Sequence, residues 1–80
     1  MTEPIEIVVY TQPHCASCTE IERFLEGQGL PFTLRDVSTD VRALEDISER
    51  GFMSTPVTRI GDRWISGFRR KEFERLTSIA

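Results

Sequence analysis

The sequence predicts an α/β domain in which a four-stranded mixed sheet is flanked by three helices, in the order βαβαββα. Apolar residues follow first strand and then helix periodicity along the 80-residue chain, and this alternation is typical of α/β proteins. No stretch has the composition of a linker, a repeat or a low-complexity segment. Residues 1–80 are therefore predicted to form a single domain, which is an ordinary length for one.

The first strand and the first helix have clear apolar patterns. Residues 5–10 are β-branched and mostly apolar, as in a strand that is buried on both faces. Ile21, Phe24 and Leu25 then recur at helical spacing, which predicts a helix over about 16–28.

The second strand is predicted from alternation of apolar and polar residues. Phe32 and Leu34 alternate with Thr33 and Arg35, so this strand should be half-covered and end near Val37.

The second helix is predicted from a polar cap and an apolar stripe. One of residues 38–40 caps it, and Gly51 stops it. The stripe that should face the sheet consists of Val41, Leu44 and Ile47.

A hairpin and a third helix complete the chain. Residues 57–60 and 64–66 flank the two-residue turn Gly61-Asp62. The last helix is predicted from Phe73, Leu76 and Ile79. A strand-helix-strand start implies a parallel pair with a right-handed crossover, and the hairpin adds antiparallel strands to the same sheet.

Charge and composition exclude several classes of function. The net charge of −3 disfavours a general nucleic-acid binder. No apolar run approaches the ~18 residues of a membrane span, and residues 1–4 lack the basic start of a signal peptide. The expected location is therefore the cytoplasm.

The two cysteines, Cys15 and Cys18, are only three positions apart. A disulfide between them closes a loop of about four residues and constrains the unfolded chain by only ~2 kcal/mol, so a structural role is the weaker hypothesis. In a reducing compartment, such a pair is more often catalytic or metal-binding.

The position of Cys15 favours redox chemistry. It falls between the first strand and the first helix, where unpaired N–H groups and the helix dipole stabilise a thiolate, the attacking species in thiol–disulfide exchange. Cys18, one turn further along, is placed to attack a mixed disulfide. Cys15 is thus the expected nucleophile and Cys18 the expected resolving thiol. His14 could tune Cys15 as an imidazolium, although most loop histidines have no such role.

A metal site is the alternative, because zinc sites share the C-x-x-C spacing. His14 is the only histidine, and the chain has no second cysteine pair. We therefore expect no metal. An iron–sulfur carrier would need a second chain or an exogenous thiol.

Five short motifs carry a resemblance to a known family. They are Tyr10-Thr11, Cys15-x-x-Cys18, Gly51-Phe52, Thr55-Pro56-Val57 and Ser66-Gly67-Phe68-Arg69. In these motifs and their spacing the chain resembles the glutaredoxin-like branch of the thioredoxin superfamily. Within that branch it is most similar to the NrdH-redoxins, the dithiol electron donors of class Ib ribonucleotide reductase.

The resemblance implies a thioredoxin-like fold and an enzyme that reduces protein disulfides. It implies no bound cofactor beyond the redox-active Cys15–Cys18 disulfide. Electrons would come from NADPH through thioredoxin reductase, ribonucleotide reductase would be the client, and the protein would act as a monomer. It also implies a cis bond before Pro56 and substrate binding by Thr55, Pro56, Gly67, Phe68 and Arg69.

The chain departs from the family around that last motif. Glutathione-using glutaredoxins often carry acidic residues where this chain has Arg69 and Arg70, which should weaken glutathione binding. Thioredoxin reductase is therefore the preferred source of electrons, and a glutathione-dependent glutaredoxin is the alternative. Arg70, with its neighbours, either docks an acidic partner segment or is a solvated helix end. The family's tryptophan position holds Ile65, so Trp64, one place earlier, should point to the opposite face of the strand.

Overall fold

The computed structural model describes residues 5–77. Its elements are β1 (Ile7–Thr11), α1 (Ala16–Gly27), β2 (Thr33–Asp36), α2 (Val41–Glu49), β3 (Val57–Ile60), β4 (Arg63–Ser66) and α3 (Arg70–Thr77). The order of strands in the sheet is β2-β1-β3-β4. β1 runs parallel to β2 and antiparallel to β3, and β3 runs antiparallel to β4.

This architecture confirms the predicted thioredoxin-like fold with its four-stranded mixed sheet and, over the described residues, three helices. The two-residue hairpin turn is also confirmed. Gly61 has φ +62° there, a conformation that glycine adopts without the steric penalty of a side chain. The predicted position Ile79 in the last helix lies outside the described residues.

β1 is the centre of the fold. Ile7, Val8, Val9 and Tyr10 are each at most 5% exposed, because other strands pair with both edges of β1 and helices cover both faces. One apolar cluster packs α1 and α3 against one face, and its largest fully buried side chain is Phe73. Burying a side chain of that size contributes roughly 1.5–3 kcal/mol.

α2 covers the opposite face through Ile47, as predicted, and through Ala43, which was not predicted. Val41 is 69% exposed and Leu44 is 46% exposed, whereas Ala43 and Ile47 are buried. The prediction for Val41 and Leu44 was wrong because the helix turns the i, i+4 pair Ala43 and Ile47 toward the sheet. Apolar spacing alone does not distinguish that stripe from its neighbour.

The predicted half-burial of the second strand is also wrong at Leu34, which is 47% exposed. β2 lies at one edge of the sheet, so its side chains have a neighbouring strand on one side only. Phe32, just before β2, is half-buried against the α1 and α3 cluster.

Trp64 and Ile65 lie on opposite faces of β4, as predicted. Ile65 is buried in the cluster with α1 and α3, and Trp64 packs on the α2 side. The Trp64 ring stacks on Tyr10 with centroids 5.6 Å apart, and the Arg50 guanidinium lies 4.2 Å from its centroid.

Candidate active site

Cys15 lies at the N-terminus of α1. Its backbone is extended, with φ −115° and ψ 101°, and its side chain caps the helix by accepting a hydrogen bond from the Cys18 N–H at 3.2 Å. This is the position that the sequence predicts, with the sulfur beside N–H groups that have no partner within the helix. The arrangement favours negative charge on the Cys15 sulfur.

Cys18 occupies the first turns of α1, facing inward. Cys15 and Cys18 are joined by a disulfide, with their Cα atoms 5.2 Å apart. Cys18 is 1% exposed, whereas Cys15 is half-buried. An external sulfur therefore has far easier access to Cys15 than to Cys18.

The loop before β3 lies beside the disulfide. The Thr55–Pro56 peptide bond is cis, the isomer that the resemblance implies. The Thr55 hydroxyl donates a long hydrogen bond of 4.0 Å to the Cys15 sulfur. The structure thus brings Thr55 to the cysteine pair, although the two positions are 40 residues apart.

Gly67 and Phe68 connect to the same loop. The Gly67 N–H donates to the Pro56 carbonyl at 2.9 Å, and Gly67 has φ +76°, which favours glycine. The Phe68 ring packs against Phe24 and Phe73, with centroids 5.9 and 5.4 Å away. The segment after β4 is therefore fixed both to the site and to the core.

The remaining predicted residues lie at the margin of the site. His14 is exposed and has φ +62°, a left-handed conformation that costs a non-glycine residue energy. Arg69 is exposed, and its carbonyl accepts the Phe73 N–H at 2.9 Å. The Arg70 guanidinium lies 5.6 Å from the Phe24 centroid and donates to Glu74 at 3.2 Å.

An apolar groove that was not predicted from the sequence lies beside Thr55. The groove has a volume of about 400 Å³ and lies between α2 and the loop before β3. Leu44 and Met53 line it, and Met53 is 97% exposed. The feature of the sequence that could have indicated this groove is the apolar residue Met53, in a loop two residues before Thr55.

Residues 5–77 contain no cluster of three or more His, Cys, Asp or Glu side chains that could hold a metal ion. Within the same range, no helix combines the length and apolar character that crossing a bilayer requires.

The fold and the cysteine pair together define the class of thioredoxin-like thiol–disulfide oxidoreductases. The family model for glutaredoxin matches residues 7–65, and the chain belongs to the glutaredoxin family.

Comparison with individual proteins gives three informative similarities. Over 89% of this chain and 93% of the other, the structure is similar to NrdH-redoxin from Escherichia coli, with 34% identity and a TM-score of 0.83. The chain is 35% identical to the N-acetyl-S-hydroxy-L-cysteine reductase of Bacillus subtilis over 76% of its own length and 67% of the reductase. It is 31% identical to the global transcriptional regulator Spx 1 of Oceanobacillus iheyensis over 88% of its own length. That match spans only half the length of the regulator.

Proposed function

We propose that this chain reduces protein disulfides as a dithiol electron donor of the NrdH-redoxin kind. The observation that carries the proposal is the Cys15 sulfur at the α1 N-terminus, accepting the Cys18 N–H at 3.2 Å, with Cys18 buried behind it. This arrangement suits an accessible attacking thiolate and a protected resolving thiol. The 34% identity to NrdH-redoxin supports the same function.

In the first step, the reduced protein attacks its substrate. The Cys15 thiolate forms a bond to one sulfur of the substrate disulfide, and the substrate S–S bond breaks. The second substrate sulfur leaves as a thiolate and takes a proton from water. The N–H groups at the start of α1 stabilise the Cys15 thiolate before attack.

In the second step, Cys18 resolves the mixed disulfide. The Cys18 thiol loses its proton and attacks the Cys15 sulfur, which forms the Cys15–Cys18 disulfide and breaks the bond between Cys15 and the first substrate sulfur, so that this sulfur also leaves as a thiolate. Two electrons have then passed to the substrate. Val9 stands six residues before Cys15, where thioredoxins carry a buried acid, so we assign the proton transfer to water or to the partner.

The loops around Cys15 form the surface on which the substrate docks. Thr55 and Pro56 lie beside the nucleophile, and Gly67 and Phe68 extend that surface. The apolar groove at Thr55 gives room for a protein segment. Arg69 is exposed next to Phe68, where it can contact the same substrate.

We assign thioredoxin reductase, with NADPH, as the source of electrons. Arg69 and Arg70 put positive charge where glutathione-using relatives present acids to the glutathione ammonium group, and this reversal disfavours glutathione. By resemblance, the client is class Ib ribonucleotide reductase. We propose that the protein works as a cytoplasmic monomer with one domain over residues 1–80.

The test follows NADPH consumption with a protein disulfide as substrate. Thioredoxin reductase is compared with glutathione plus glutathione reductase as the source of electrons. We expect turnover with thioredoxin reductase, complete loss in Cys15→Ser, and a trapped mixed disulfide in Cys18→Ser by mass spectrometry. Turnover with glutathione alone would contradict the assigned reductant. No turnover with either source would contradict the proposed function.

A further inference from the structure

A further groove lies on the face of the sheet that α1 and α3 cover, between α1 and the start of α3. Its volume is about 370 Å³. Phe24 and Phe68 form its apolar part, and Arg23, Arg70 and Glu20 line it with charge. The Phe24 and Phe68 rings pack together, so this part of the groove is fixed by the core.

The groove is continuous with the active-site loops. Phe68 follows Gly67, whose N–H is bonded to the Pro56 carbonyl beside the cysteine pair. Along α1, Arg23 lies eight residues beyond Cys15, which corresponds to about 12 Å at ~1.5 Å per residue. An extended peptide covers that distance in three or four residues, at ~3.3 Å each.

Two of the three charged residues that line the groove, Arg23 and Arg70, are positive, and the third is Glu20. Arg69, Arg70 and Lys71 are consecutive at the start of α3, where the helix dipole disfavours cations. Glu72 is engaged by Arg75, at 2.8 Å from its Oε1. Arg70 is held over Phe24 and by Glu74 at the groove. The Arg70 side chain is still 68% exposed, so its guanidinium has donors left for a further carboxylate beside the apolar surface.

We propose that this groove binds an acidic segment of the protein substrate, with the acidic side chain three or four residues from the cysteine that Cys15 attacks. The carboxylate contacts Arg23 and Arg70, and the aliphatic part of the same segment packs on Phe24 and Phe68. This inference rests on the proposed function, because it names the segment that presents the disulfide to Cys15.

The test uses two synthetic peptides that contain the same intramolecular disulfide. One peptide carries Glu at the third and fourth positions on either side of the attacked cysteine, and the other carries Gln there. Each is mixed with the reduced full chain, and the second-order rate of reduction is measured by acid quench and mass spectrometry. We expect the Glu peptide to react about fivefold faster at low salt, because its carboxylates form exposed ion pairs with the two arginines and the Gln peptide cannot. The ratio should approach one at high salt.

Variants distinguish binding in this groove from a general effect of the protein's charge on the rate of reduction. Arg23→Gln with Arg70→Gln should bring the ratio of the two rates close to one, and Glu20→Gln should raise it. The matched control is Arg63→Gln, which removes an exposed charge beside the hairpin turn and should leave the ratio unchanged. Reduction of both peptides at equal rates in low salt would overturn the docking proposal while the proposed function stands. A rate ratio that persists in the Arg23→Gln, Arg70→Gln double variant would also overturn the docking proposal. Reduction of neither peptide would overturn both the docking proposal and the proposed function.

Discussion

Thr58 carries a buried hydroxyl that has no visible partner. The residue is 0% exposed, and its Oγ1 has no hydrogen-bond partner among residues 5–77. On β3 it pairs with Val9 of β1 and Ile65 of β4, and both neighbours belong to the apolar cluster with α1 and α3. Burying an unpaired hydroxyl in such surroundings costs about 1–3 kcal/mol.

We therefore expect Thr58→Val to raise the free energy of unfolding by about 1 kcal/mol, because valine has the same shape without the hydroxyl. Urea denaturation measures the change. The control is Thr33→Val, at an exposed position of β2, where a change within about 0.5 kcal/mol is expected. A loss of stability in Thr58→Val would show that the hydroxyl has a partner, such as a buried water.

At the scale of elements, α2 depends on Asp40 for its start. The Asp40 carboxylate accepts the Ala43 N–H at 3.1 Å and also binds Arg35 at 3.3 Å. The hydrogen bond from Ala43, aided by the Arg35 guanidinium, holds the pKa of Asp40 below its usual 3.8. Because the folded-state pKa is the lower one, the unfolded chain binds more protons in this range. The contribution of Asp40 to stability is therefore complete above its usual pKa and is lost as the pH falls through the folded-state value.

Two substitutions distinguish what Asp40 contributes to stability as a helix cap from what it contributes through its charge. Asp40→Ala should lower the melting temperature at neutral pH, because α2 loses its cap. Asp40→Asn should keep most of the cap and lose this part of the acid dependence, since asparagine caps helices without titrating. Thermal unfolding monitored by circular dichroism between neutral and acidic pH measures both. If Asp40→Asn loses stability toward acid as steeply as the unchanged protein, this carboxylate is not the titrating group.

Sequence patterns predicted some elements more accurately than others. β1 and α1 were predicted within two residues of their observed ends, because a long apolar run and a repeated helical spacing leave few alternatives. In α2 only Ile47 of the predicted stripe is buried, since Ala43 is too small to stand out from Val41 and Leu44 in the sequence. Leu34 was misjudged because burial in β2 depends on which strand is at the edge. The cysteine pair was found from local spacing, whereas the groove at Phe24 and Phe68 joins residues distant in sequence.

At the scale of the whole molecule, the Cys15–Cys18 disulfide links redox chemistry to folding. The difference in stability between the oxidised and reduced proteins equals the difference in disulfide reduction free energy between the folded and unfolded chains. A loop of about four residues gives the oxidised protein an advantage of ~2 kcal/mol at most. In the reduced protein, the α1 N-terminus stabilises the Cys15 thiolate and offsets part of that advantage.

We therefore expect the two forms to differ by less than about 2 kcal/mol in free energy of unfolding, with the difference shrinking as the pH rises and Cys15 ionises. Urea denaturation of both forms at several pH values measures it, and a Cys15→Ser, Cys18→Ser double variant should show no redox dependence. An advantage of the oxidised protein above about 4 kcal/mol at every pH would mark the disulfide as a structural bond. Such a bond would resist the cycling between dithiol and disulfide on which the proposed electron donor depends, because each turnover would then have to overcome that stabilisation.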